Sequence, residues 1–143
     1  MFKRDVSLYI VDILIAINKI FRYTKKFDNS EEFLYSELNW DGTIRQLEII
    51  GEATNKLIKL EIIDEKSYRI IVDFRNYIVH SYFGIDSSIV WEVVKNKLPD
   101  FMAELKLVVK EKNINLSKAI KMAKKENENN RELLVFLNQL LRI

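Results

Sequence analysis

Turn-forming residues are scarce in this chain. Three glycines and one proline serve 143 residues, and these are the residue types that most readily supply tight turns. So few turn sites favour a small number of long helices over a β-rich or loop-rich fold. Cysteine is absent, which removes disulfides and thiolate zinc sites as sources of stability. The length suits one compact domain that buries most of its own core.

Apolar periodicity places the helices. Val6, Ile10, Ile13, Ile17, Ile20 and Phe27 recur at helical spacings, so an amphipathic helix is expected from Asp5 to Phe27. Isoleucine is a mediocre helix former, and packing must therefore carry this segment. Asp28-Asn29-Ser30 ends it and offers Ser30 as an N-cap for a second helix near Glu31. Composition would break that second helix at Asp41-Gly42. Ile44, Leu47, Ile50, Thr54, Leu57 and Ile58 form its inward stripe, and Gly51 within it suits close approach of another helix.

A polar connection over 61–66 leads to a helix expected from Ser67 to Tyr82, with Ile70, Ile71, Phe74, Ile78 and Val79 as its apolar set and Gly84 as its stop. Asp86 or Ser87 caps the next helix, which Pro99 should kink or restart. Short connections imply antiparallel neighbours, hence an all-α, up-down antiparallel bundle of four to five main helices over residues 1–112. Residues 113–143 change character. A lysine-rich helix (117–125), a polar break (127–130) and a leucine-rich helix (132–141) form an extension expected to pack on the bundle or on a second chain.

Net charge is +2, which permits an anionic partner without demanding one. No apolar run reaches the ~20 residues that span a membrane, and the N-terminal residues do not read as a signal peptide, so a cytoplasmic location is expected.

The chemistry concentrates in Arg75-Asn76-Tyr77-Ile78-Val79-His80-Ser81-Tyr82, which holds the chain's only histidine. Imidazole is the side chain that ordinarily gives and takes protons near neutral pH. Arginine is a permanent cation that grips phosphate through two parallel donors. That pairing suggests phosphodiester chemistry more than metal or thiol chemistry, and no metal or other cofactor is expected.

The same residues carry a resemblance. Arg75 and His80 in an Arg-x4-His arrangement, with Asn76 after the arginine and Tyr82 completing His-x-Tyr, resemble the signature of the HEPN superfamily, in particular its HepT-like toxin branch. Gly51-Glu52-Ala53, Gly84-Ile85-Asp86 and Ile89-Val90-Trp91 extend the likeness over roughly residues 4 to 110. Lys66-Ser67-Tyr68 stands where the family often has proline and tryptophan. The resemblance implies one long helix from about Glu31 to Lys59, and that expectation is preferred to a break at Asp41-Gly42. It also implies a metal-independent endoribonuclease, the toxin of a type VII-like HEPN/MNT toxin–antitoxin pair, with a composite cleft at a homodimer interface. His80 is then the proton-transfer group, Arg75 the stabiliser of phosphate charge, and Asn76 orients His80 or binds substrate. Tyr82 is the implied site of adenylylation by a nucleotidyltransferase antitoxin of the MNT type.

Helix geometry bears on the same question. At ~100° per residue, Arg75 and His80 project about 140° apart, so for both to touch one phosphate the long arginine must wrap round or a second copy of the motif must contribute. Cleavage by the 2′-hydroxyl needs a base, an acid and positive charge on the phosphorane, and one histidine cannot readily be both acid and base in a single step. Blander readings stand beside these. A lone helical histidine can be structural, Asp73 reads as a surface ion-pair partner, and Trp40, Trp91 and Phe101 read as core or interface aromatics. The Lys118, Lys121, Lys124 and Lys125 run reads as a solvated face, with RNA recruitment the lesser reading. The competing function is a catalytically inactive helical module that binds a partner protein or a nucleotide.

Overall fold

Helix α1 (Val6–Thr24) is the axis about which the chain is built. Ile10, Ile13, Leu14, Ile17 and Ile20 are fully buried along it, and it touches α3 (Glu37–Lys59), α6 (Leu98–Glu111), α7 (Ser117–Glu126) and α8 (Arg131–Leu140). The computed structural model describes residues 5–81 and 84–143. The remaining elements are α2 (Ser30–Tyr35), α4 (Glu65–His80) and α5 (Ser87–Glu92), with a π-helical turn at Val93–Lys97 joining α5 to α6. The described residues contain helices and no strand, so the fold is an all-α bundle.

Side-chain caps start the helices. Asp5, Asn29, Asp64, Asp86 and Asn130 each accept a backbone N–H at the head of α1, α2, α4, α5 and α8, satisfying donors that have no partner within the helix. Asn29, not Ser30, therefore caps α2.

The expected continuous helix from Glu31 to Lys59 is interrupted, though not at Asp41-Gly42. The break falls at Ser36, whose backbone leaves helical geometry at φ −89°, ψ 85°. Asn39 holds that corner. Its amide donates to the Tyr23 carbonyl at 2.7 Å, and its oxygen accepts from the Ser36 hydroxyl at 2.8 Å. Gly42 passes through α3 against the Tyr23 ring, where an added Cβ would lie 3.2 Å from Cε2. Close packing, not turn geometry, uses that glycine. Phe33 of α2 fills the space above, its ring 5.1 Å from Trp40 and 5.8 Å from Trp91, so both tryptophans are partly buried and pack against the core.

The chain turns without glycine at two helix ends. After α3, Glu61 adopts φ 59°, and Ile62 N–H returns to the Leu57 carbonyl while Glu61 N–H returns to Ile58. After α6, Asn113 at φ 52° does the same with Ile114 to Val109 and Asn113 to Lys110. Both are Schellman ends with a side-chain-bearing residue in the left-handed position that glycine ordinarily takes. The connection after α3 is also less polar than expected, because Ile63 is buried.

Helix α4 runs from Glu65 to His80, two residues earlier at each end than the sequence suggested. It ends before Gly84, which lies four residues past the last helical position at φ 144° and does not terminate it. The predicted modification residue, Tyr82, lies outside the described residues. Pro99 sits in the first turn of α6, directly after the π-helical turn, where its missing N–H is harmless. The tail closes the bundle: Leu133, Phe136, Leu137 and Leu140 are buried, and Arg22 reaches Glu132 at 3.6 Å.

Replacing Glu61 by glycine relieves a left-handed residue of its Cβ penalty, which is of order 1 kcal/mol. Glu61→Gly is expected to raise the urea midpoint at unchanged m-value, and a lowered midpoint would contradict the strain.

Candidate functional site

The site is built where α3 and α4 come closest. A Cβ on Gly51 would overlap Cβ and Cγ of Arg75. The arginine stem therefore lies directly on the glycine, and this is the close approach expected of Gly51. Val72, one turn earlier on α4, is buried on the same side.

The arginine head is held by two acceptors. Nη2 donates to Glu52 Oε1 at 2.9 Å, and Nη1 donates to Asn76 Oδ1 at 3.1 Å. Its side chain is 29% exposed, while Nε is buried and has no hydrogen-bond partner among the described residues. Leaving a buried donor unmet costs about 1–3 kcal/mol. Arg75 is thus pre-oriented and keeps unused donor capacity.

Around it opens a groove of about 590 Å³ between the two helices. Glu52, Asn55, Lys56 and Lys59 of α3 form one wall, and Arg69, Arg75 and Asn76 of α4 form the other. Arg69 is also engaged by Glu65 at 3.7 Å and Asp73 at 3.3 Å; Asp73 is the surface ion-pair partner that its sequence setting suggested. All three side chains are about half exposed or more, so these pairs contribute little to stability.

His80 is elsewhere. It is the exposed last residue of α4, does not line the groove, and its side chain has no hydrogen bond or ion pair to another described residue. Asn76, one turn below it, is turned to Arg75 instead. Arg75 and Asn76 are thus brought together, while His80 is presented outward at the helix end. Ser81 and Tyr77 finish that end. The Ser81 hydroxyl donates to the Tyr77 carbonyl at 2.5 Å, and the Tyr77 phenol accepts the Asp86 backbone N–H at 2.9 Å.

On the other side of α4 lies an apolar groove of about 430 Å³, lined by Tyr68, Ile71, Phe74, Leu98 and Phe101 and rimmed by Ile70 and Ile89. Ile70, counted in the apolar set of this helix, is 67% exposed. Burial, then the hydrogen bond and charge of Glu104, push the Tyr68 phenol above its ordinary range. At the head of α4, the Ser67 hydroxyl and then the Ser67 amide hold the Asp64 carboxyl below its ordinary range, and Ser88 does the same for Asp86. No group of three or more histidine, aspartate or glutamate side chains among the described residues converges as a metal site.

Glu52, Asn55, Lys56, Lys59 and Arg69 were not singled out as site residues by sequence. A signal existed: Glu52, Asn55, Lys56 and Lys59 recur at i, i+3, i+4, i+7, a polar stripe beside Gly51.

The all-α bundle falls in a known family. Residues 13–108 match the family described as Ribonuclease HepT-like, and the chain belongs to that family. It is 36% identical to "Putative RNase MJ1380" of Methanocaldococcus jannaschii over 110 residues, covering 76% of this chain and 100% of that protein. "Putative RNase MJ0125" of the same organism is 34% identical, covering 76% and 95%. "Probable ribonuclease HepT" of Thermococcus cleftensis is 33% identical, covering 68% and 89%. No solved structure gives a significant match.

Gly51→Ala should force α3 and α4 apart and cost about 1–3 kcal/mol by overpacking; thermal melts would show it, and an unchanged melting temperature would refute the contact. The Asp64 cap stabilises α4 fully above the ordinary aspartate range and loses that contribution as pH falls through its lowered folded-state value. Asp64→Asn, which retains a capping oxygen, should therefore flatten the acid limb of the stability–pH curve measured between pH 2 and 5.

Proposed function

We propose that the protein is a metal-independent endoribonuclease, the toxin of a type VII-like HEPN/MNT toxin–antitoxin pair, acting as a homodimer in the cytoplasm. One observation carries the reading: a single helix holds Arg75 oriented in a polar groove and presents His80, the chain's only imidazole, at its exposed end. The family's relatives are named as ribonucleases, which supports the same substrate class. The apolar groove flanking α4, with Ile70 and Ile89 exposed at its rim, offers a face on which a second copy can pack.

In the proposed reaction a ribose 2′-oxygen attacks the adjacent phosphorus as the bond to the 5′-oxygen breaks. One His80 takes the 2′-hydroxyl proton and the other copy's His80 protonates the leaving 5′-oxygen. Arg75 balances charge on the phosphorane, with Asn76 holding its guanidinium. The products are a 2′,3′-cyclic phosphate and a 5′-hydroxyl. Adenylylation of Tyr82 by a cognate nucleotidyltransferase would add bulk and negative charge two residues after His80 and oppose RNA entry.

His80→Ala should lower RNA cleavage at least ~100-fold, the lower range for a general acid–base group, without changing the circular dichroism spectrum. Chelators should leave cleavage intact. Failure of the purified protein to cut any RNA, or full activity in His80→Ala, would overturn the reading and favour a non-catalytic partner-binding module.

A further inference from the structure

We infer that the groove wall formed by Lys56 and Lys59 is a subsite for the backbone of single-stranded RNA, holding phosphates next to the one on which Arg75 acts. The inference rests on the ribonuclease reading and adds where the rest of the strand lies.

Four cations line this groove, Lys56 and Lys59 from α3 and Arg69 and Arg75 from α4, against one lining carboxylate, Glu52. That carboxylate is already committed to Arg75 at 2.9 Å. Lys56 and Lys59 are exposed and have no ion pair to another described residue, so their charge is unspent. Arg69 is held only by two exposed pairs that a phosphate can displace.

The dimensions agree. From Glu52 to Lys59 the wall runs roughly 10 Å along α3, long enough for a further phosphate beyond the position of Arg75. The lining carries no aromatic platform for stacking bases. It should hold the strand through its backbone, without regard to sequence, and respond steeply to salt.

The test measures binding of a fluorescein-labelled 2′-O-methyl RNA dodecamer, which cannot undergo attack by its own 2′-oxygen, by fluorescence polarisation across a salt series. Lys56→Gln/Lys59→Gln should weaken binding roughly 5- to 10-fold at low salt and reduce the slope of log affinity against log salt by about 1.4, at ~0.7 per cation for a single strand. Lys118→Gln/Lys121→Gln removes equal charge from α7 and should change affinity less than about twofold. Circular dichroism should be unchanged in both, since all four lysines are exposed.

Equal affinity and slope in Lys56→Gln/Lys59→Gln and the unmodified protein would overturn the subsite. So would an equal loss in the α7 variant, or no salt-dependent binding at all. The two readings fail separately. Cleavage of natural RNA with an unaltered KM in the Lys56/Lys59 variant removes the subsite and keeps the nuclease, whereas the expected binding with no cleavage keeps the subsite and removes the nuclease.

Discussion

The approach of α3 to α4 at Gly51 and Arg75 governs the site. A helix pair normally stands 8–10 Å apart, and small residues at the crossing allow the shorter distances. Here the absent Cβ of Gly51 leaves room for the arginine stem, and the same contact delivers the guanidinium to Glu52 and Asn76. A glycine inside a helix costs about 1 kcal/mol relative to alanine. That cost is offset by an arginine whose position is set by packing as well as by charge.

The rest of the bundle supports this pair at a distance. Helix α1 packs on α3 and is itself covered by the tail helices, so the wall carrying Glu52, Lys56 and Lys59 is backed by core. Helix α4 is less enclosed: it packs on α3, while its other flank borders the apolar groove and its last residue, His80, is exposed. A wall backed by core facing a helix with an open flank is compatible with the proposed second copy and the proposed RNA strand. The Tyr77 phenol joins the end of α4 to the start of α5, which limits how far the His80 turn can stray.

Much of the architecture was legible because helical periodicity is a local signal. The stripe of α1 and the role of Gly51 follow from spacing and residue type, and Asp86 and a restart at Pro99 were each one of two alternatives the sequence offered. The break at Ser36 was not legible, because it depends on Asn39 reaching a carbonyl sixteen residues away. Nor were the turns at Glu61 and Asn113, where ordinary residues occupy left-handed backbone. Ile70 belongs to the apolar set of α4 yet stands exposed, because a helix's apolar stripe does not say which flank a neighbour covers.

By itself the sequence determined the fold class, through scarce turn residues and helical periodicity, and it nominated Arg75, Asn76, His80 and Tyr82 as candidate groups. Family membership was readable there too, since it resides in residue types at fixed spacing. Only the tertiary structure decided that Arg75 and Asn76 share a cationic groove with Lys56 and Lys59 while His80 stands apart. Periodicity orders residues around one helix axis, but which faces meet is set by how two helices pack, and that depends on contacts distant in the chain.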